Sequence, residues 1–242
     1  MSETRPAFYA LAPGGWRDYV TLLHLPYTLW HLSYVAVGAA LAPHLPLNRL
    51  LWTLAAFALA LGVGAHALDE LRGRPLQTAI PTQVLVGLAL VAVGAAVAIG
   101  VGAALAWTLS LLPLVGFGAF IVVAYNLELF GGRFHSDVWF ALAWGAFPLL
   151  TAYVAVAERL APEAVVAAAF AALLSHAQRT LSTRVRTIRR RARTVEGWIE
   201  YRDGSRSALD ARDLRAAPEG ALRALTGSVV ALAAALLLLR LV

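Results

Sequence analysis

Apolar residues run along this chain in blocks of about twenty, and polar residues collect at the gaps between them. A hydrocarbon core needs about twenty mainly apolar residues per helix, so the blocks predict membrane-spanning helices. The spacing predicts spans at about 19–42, 50–71, 83–100, 104–125, 138–156, 162–181 and 218–242. No charged residue lies between Pro75 and Leu127, long enough for two spans, and Gly100 and Gly102 predict the turn between them. His24 and His31, seven residues apart, share one face of the first span, with Pro26 between them. The fold class expected is all-α: a polytopic integral membrane bundle of about seven transmembrane helices around a central cavity open to the cytoplasmic side.

The gaps carry the chemistry. Span two ends in GAHALDELRGRPLQTAIP, Gly64–Pro81, where His66, Asp69 and Glu70 stand at i, i+3 and i+4 on one helical face. Ionisable groups at membrane depth are costly unless they face a cavity or a partner, so this cluster is a candidate site. The same residues admit a plainer reading as a solvated helix end, with Glu70–Arg74 and Asp69–Arg72 as local ion pairs. A second cluster, YNLELFGGRFHSD, holds Tyr125, Asn126, Glu128, Arg133 and His135 around Gly131 and Gly132 and predicts a structured loop. A third follows span six: Ser175, His176, Gln178 and Arg179, then a run in which seven of the fifteen residues 179–193 are Arg. If the helix continues, Arg179, Arg186, Arg190 and Arg193 form a stripe. Such a run also serves as a topology anchor at anionic lipid.

Between 194 and 217 lies the one soluble-looking piece, where Asp203-Gly204 predicts a small hairpin and Pro218 the first turn of the last helix. The chain thus divides into an interfacial segment, 1–18, a bundle with its arginine-rich extension, 19–193, a hairpin insert, 194–217, and a final span, 218–242.

Composition narrows the chemistry. Of 242 residues, 60% are hydrophobic and 14% charged, against about 25% charged in a soluble domain. There is no cysteine, which excludes thiolate nucleophiles and disulfides. All 20 basic residues are Arg, so lysine Schiff bases and Walker-type loops are excluded too. The net charge of +6 sits mostly in one segment and speaks for a membrane face, not nucleic acid. The N-terminus lacks the basic-then-apolar order of a signal peptide. Seven spans place Arg72, Arg74, Arg133 and the 179–193 run on one side with the N-terminus. The positive-inside rule makes that side cytoplasmic, in a bacterial-type plasma membrane. All three polar clusters then share one depth, as one pocket requires.

The end of span two, with Arg74-Pro75-Leu76, resembles the first Asp-rich region of UbiA-type membrane prenyltransferases. The stretch from Tyr125 to Trp144-Gly145-x-x-Pro148 is similar to that family's fourth-to-fifth helix region. The resemblance covers about residues 19–193. It implies helices around a cavity, an isoprenoid diphosphate or related anionic lipid as substrate, Mg²⁺ bound by acids, and prenyl transfer. Asp69 matches a motif acid, His66 stands near the usual Asn, and Arg74 matches the motif arginine. The later acids of the first motif are absent, and SHAQRTLSTRVR occupies the place of the second.

On this reading Asp69, Glu70 and His66 are catalytic, and Asp69, Glu70 and Glu128 hold Mg²⁺. Arg72, Arg74, Tyr125, Asn126, Arg133, His176, Arg179 and Arg184 bind the substrate. Two alternatives come from other classes. His31, His66, His135 and His176 with the carboxylates suit zinc or non-haem iron, and the scaffold also suits a non-catalytic lipid-binding protein.

Overall fold

The computed structural model describes residues 5–241. Its elements are α1 (Trp16–Leu22), α2 (Leu25–Leu41), α3 (Leu47–Leu71), α4 (Thr82–Ala106), α5 (Leu111–Asn126), α6 (Asp137–Ala157), α7 (Pro162–Arg191), β1 (Gly197–Glu200), β2 (Arg206–Leu209) and α8 (Ala211–Leu241). Five of these helices, α3, α4, α6, α7 and α8, are long and apolar enough to cross a membrane. The protein is a helical membrane bundle. The shorter α2 and α5 have 17 and 16 residues.

Helix α2 is the centre of the packing, with α6 and α8 against it. Gly38 makes this possible: a β-carbon there would collide with the Leu149 carbonyl of α6. Buried Trp30 donates to the Tyr34 hydroxyl at 2.5 Å, and Ser175 of α7 donates to the same oxygen at 3.2 Å. Gly145 plays the equivalent part between α6 and α7, since a β-carbon there would lie 2.5 Å from the Ala171 carbonyl oxygen. At one end of the bundle arginines satisfy helix C-terminal carbonyls, which have no partner within their own helix. Arg240 donates to Ala40 O at 2.8 Å and to Ala42 O, and Arg49 donates to Ala155 O and Val156 O at 3.1 and 3.3 Å. Helix α4 exposes Leu90, Val91 and Leu105, the apolar outer surface expected to face lipid.

Several boundaries differ from those read in the sequence. The first span is broken: His24 takes a left-handed conformation (φ 46°), and Pro26 starts α2 afresh. Gly100 and Gly102 lie inside α4, and the turn falls at 107–110. Gly100 serves packing instead, because a β-carbon there would sit 2.6 Å from Val115 of α5. The last helix starts at Ala211, so Pro218 is interior to it. Helix α7 continues through the arginine run to Arg191.

The hairpin pairs β1 and β2 antiparallel, Trp198 opposite Ala208 and Glu200 opposite Arg206. Gly204 (φ 84°) supplies the left-handed turn residue, and the Asp203 carboxylate accepts from Ser205 N and Oγ at 2.9 and 2.7 Å. Two π-helical stretches, Ala58–Ala65 in α3 and Ala141–Ala146 in α6, shift the face on which the following residues lie. Both abut the cavity described next.

Candidate functional site

At the arginine-rich end of the bundle a cavity of about 440 Å³ opens between α2, the end of α3, the end of α5, the start of α6 and α7. Residues 6–9 form part of its wall. His31, His66, Asp69, Tyr125, Asn126, Glu128, His135 and Arg179 line it, from all three polar clusters. Arg186 and Arg190 line it too, brought round by the helical repeat of α7.

The two adjacent acids of α3 have different fates. Glu70 is 1% exposed, and its carboxylate accepts from Leu76 N (3.0 Å), Thr78 N (2.8 Å) and Thr78 Oγ1 (2.9 Å). The loop after α3 therefore folds around it, and it does not line the cavity. Arg74 locks the same loop, donating to Thr78 O (3.3 Å), Ile80 O (2.5 Å) and Thr82 Oγ1 (3.0 Å) from a left-handed backbone (φ 52°). The local pairs Glu70–Arg74 and Asp69–Arg72 are not formed among the described residues, because the helix ends at Leu71 and the chain turns away. Arg72 reaches across to Glu128 at 2.9 Å instead, at the half-exposed rim. The Asp69 side chain faces the cavity, and its carboxylate accepts no hydrogen bond among the described residues.

Of the other predicted residues, Arg133, His176 and Arg184 are exposed and lie outside the cavity lining. Asn126 donates to Val122 O at 2.6 Å. Tyr125 stacks on His135 at 4.4 Å, and its buried hydroxyl has no partner among the described residues. Asp69, Glu70 and Glu128 do not converge, and among the described residues no three His, Asp or Glu side chains form a ready-made metal group.

Hydrogen bonds set the imidazoles. The His135 Nδ1–H donates to Tyr125 O (3.0 Å), which leaves Nε2 to accept from Arg179 at 3.3 Å. Both contacts require the same neutral tautomer. His66 Nδ1–H likewise donates to Gly62 O (3.1 Å) and frees its Nε2 as an acceptor. His66 stacks on His24 at 4.0 Å, and His24 Nδ1 accepts from the Tyr9 hydroxyl at 3.0 Å. Burial, then the neighbouring Tyr27, pushes the Tyr9 phenol up, so it stays a proton donor.

The charge of the chamber is unbalanced. Arg179 pairs with Asp137 at 3.1 Å and lies over the Phe140 ring at 5.4 Å. Among the described residues Arg186 donates only to Thr183 Oγ1 (3.0 Å), and Arg190 only to Pro6 O (3.3 Å). Neither has a carboxylate within ion-pair distance among the described residues, and Glu128 is already matched by Arg72. Net positive charge in a recess calls for an anion. Beside the chamber lies a small apolar slot of about 100 Å³ walled by Trp52, Phe57, Val93, Trp107 and Phe147, and Trp144 lines both spaces.

Known proteins offer no guide. Neither the family models, nor the curated proteins, nor the solved structures compared with the chain match it.

Arg186 and Arg190 were absent from the set of substrate-binding candidates although the stripe through Arg179 contains them. The i+7 and i+11 spacing was the usable signal. His24 had the seven-residue spacing from His31, which also lines the cavity, but not the left-handed break that starts α2 after it. Tyr9 had no signal, since its place depends on the N-terminal segment folding back, and Tyr27 was likewise not singled out.

Proposed function

We propose that the chain is a membrane enzyme of the UbiA-like kind, acting on an isoprenoid diphosphate or related anionic lipid by prenyl transfer. Seven helices would then cross a bacterial-type plasma membrane around the chamber, with the N-terminus and the arginine-rich end cytoplasmic. One observation carries the reading: the Asp69 carboxylate, without a hydrogen-bond partner among the described residues, shares a recess with Arg186 and Arg190, and an apolar slot adjoins it.

The chemistry follows from those groups. Arg179, Arg186 and Arg190 would hold the diphosphate, since guanidinium donors match phosphate oxygens in pairs. The bond between the allylic carbon and oxygen breaks, and the diphosphate leaves with the electron pair. The Asp69 carboxylate and the faces of Tyr125, Phe140 and Trp144 oppose the positive charge left on carbon. An acceptor nucleophile forms the new bond to that carbon and gives up its proton to the departing diphosphate. Mg²⁺ is commonly held by one or two carboxylates together with substrate phosphates, so Asp69 would be its one protein anchor and the ion would supply charge for the leaving diphosphate; with the ion bound, opposing the charge on carbon would fall to the three aromatic faces. Glu70 takes no part in this scheme, being fully engaged by its loop.

The test is transfer from a panel of labelled allylic diphosphates to lipid-extract acceptors by reconstituted protein. Asp69→Asn is expected to abolish transfer, and Arg186→Gln with Arg190→Gln to weaken diphosphate binding by about tenfold or more. Undiminished transfer by Asp69→Asn would overturn the mechanism.

A further inference from the structure

A second concavity lies outside the chamber, and none of its arginines is shared with it. It measures about 540 Å³ and is formed where the N-terminal segment, the end of α7 and the start of α8 meet. Arg5, Arg189, Arg193, Arg212 and Arg215 line it, with Asp210 as the one acid among the described residues. Arg189 is neutralised by Glu219 at 2.6 Å, both largely buried, and Arg5 donates to Ala10 O at 3.2 Å. The Asp210 carboxylate is engaged with the first amides of α8, Arg212 N (2.5 Å) and Asp213 N (3.1 Å). Arg193, Arg212 and Arg215 make no side-chain hydrogen bond or ion pair among the described residues.

We infer that this outer pocket is a binding site for a multiply phosphorylated group, separate from the chamber and independent of the function proposed for it. The charges set the ligand class. One phosphate monoester carries about −1.5 to −2 at neutral pH, so three uncommitted guanidinium groups suit a diphosphate or two neighbouring phosphates. Because Asp210 occupies the helix amides, the holding groups are the arginine side chains, which take phosphate oxygens in a bidentate fork. A topology anchor needs only arginines spread along a membrane face. Here the end of α7 and the start of α8 bring them around one hollow, with the N-terminal segment as its third wall.

The full chain, purified in detergent, is titrated with inorganic pyrophosphate by isothermal calorimetry at low salt. Arg212→Gln with Arg215→Gln is expected to weaken one binding event by at least about tenfold, and Arg193→Gln to weaken the same event. The control Arg17→Gln with Arg202→Gln removes equal charge from exposed positions outside the pocket and is expected to change nothing. No binding, or equal loss in the control, overturns the inference. A single event lost with Arg186→Gln and Arg190→Gln but untouched by the outer variant also overturns it, while leaving the chamber reading intact. The reverse pattern upholds the outer pocket and removes the chamber's anion site. Bilayer discs then identify the source. Displacement of pyrophosphate by a bisphosphorylated lipid assigns the pocket to a headgroup, and no displacement assigns it to a soluble phosphate. Equal displacement by phosphatidylserine at matched charge density overturns the site, as an anchor alone would behave that way.

Discussion

Neighbouring acids on α3 provide the sharpest test of how the local structure works. Glu70→Gln keeps the shape of the side chain but replaces one oxygen with an NH₂ group that meets Leu76 N–H or Thr78 N–H donor to donor. Hydrogen bonds to a charged group contribute about 1.5–3 kcal/mol and neutral ones about 0.5–1.5, so the retained bonds each lose about 1 kcal/mol. The lost bond leaves a buried N–H, a further cost of about 1–3 kcal/mol. The sum is about 3–5 kcal/mol. Using about 2–4 °C per kcal/mol for a chain of this size, the melting midpoint should fall by about 6–20 °C. Asp69→Asn breaks no hydrogen bond among the described residues and should shift stability by no more than about 1 kcal/mol. Circular dichroism melts of both variants in one detergent make the comparison. If Glu70→Gln melts with the native chain, or Asp69→Asn melts as early as Glu70→Gln, then the assignment of Glu70 to the loop and Asp69 to the chamber is wrong.

Other outcomes follow from the same geometry. Gly145→Ala would push a methyl into the Ala171 carbonyl and the Ser175 hydroxyl, at 2.5 and 2.8 Å, and should cost about 1–3 kcal/mol in the same melts. Arg72→Ala should destabilise by less than about 1 kcal/mol, because its partner Glu128 and it are both substantially exposed, and raising salt should erase even that difference. Arg133→Ala, His176→Ala and Arg184→Ala should leave diphosphate binding within about twofold of native, since none lines the chamber; a tenfold loss in a binding titration would contradict that. Trp144→Ala joins the chamber to the apolar slot and should change which allylic chain lengths are used in the transfer assay.

Much of the architecture was legible along the chain. Blocks of apolar residues are a property each segment carries alone, so the helices and the hairpin turn at Asp203-Gly204 could be read without knowing their neighbours. Boundaries were harder where a residue has two uses. Gly100 and Gly102 look like turn residues, but Gly100 is consumed by contact with Val115. Pro218 looks like a helix start, but α8 begins seven residues earlier, after the Asp210 cap. The arginine-proline-leucine segment read as a ligand-binding motif closes a loop, with Arg74 holding backbone carbonyls.

Composition and hydropathy by themselves established a helical membrane protein, three polar clusters, and a cationic segment with no cysteine or lysine chemistry. Only the tertiary structure decided that Asp69 faces a recess while Glu70 disappears into the loop after it, and that Arg186 and Arg190, not Arg133 or Arg184, stand opposite. The physical reason is that water or lipid preference belongs to one side chain at a time. Whether a buried charge is satisfied depends on donors from distant segments, and those donors meet it only once the helices have packed.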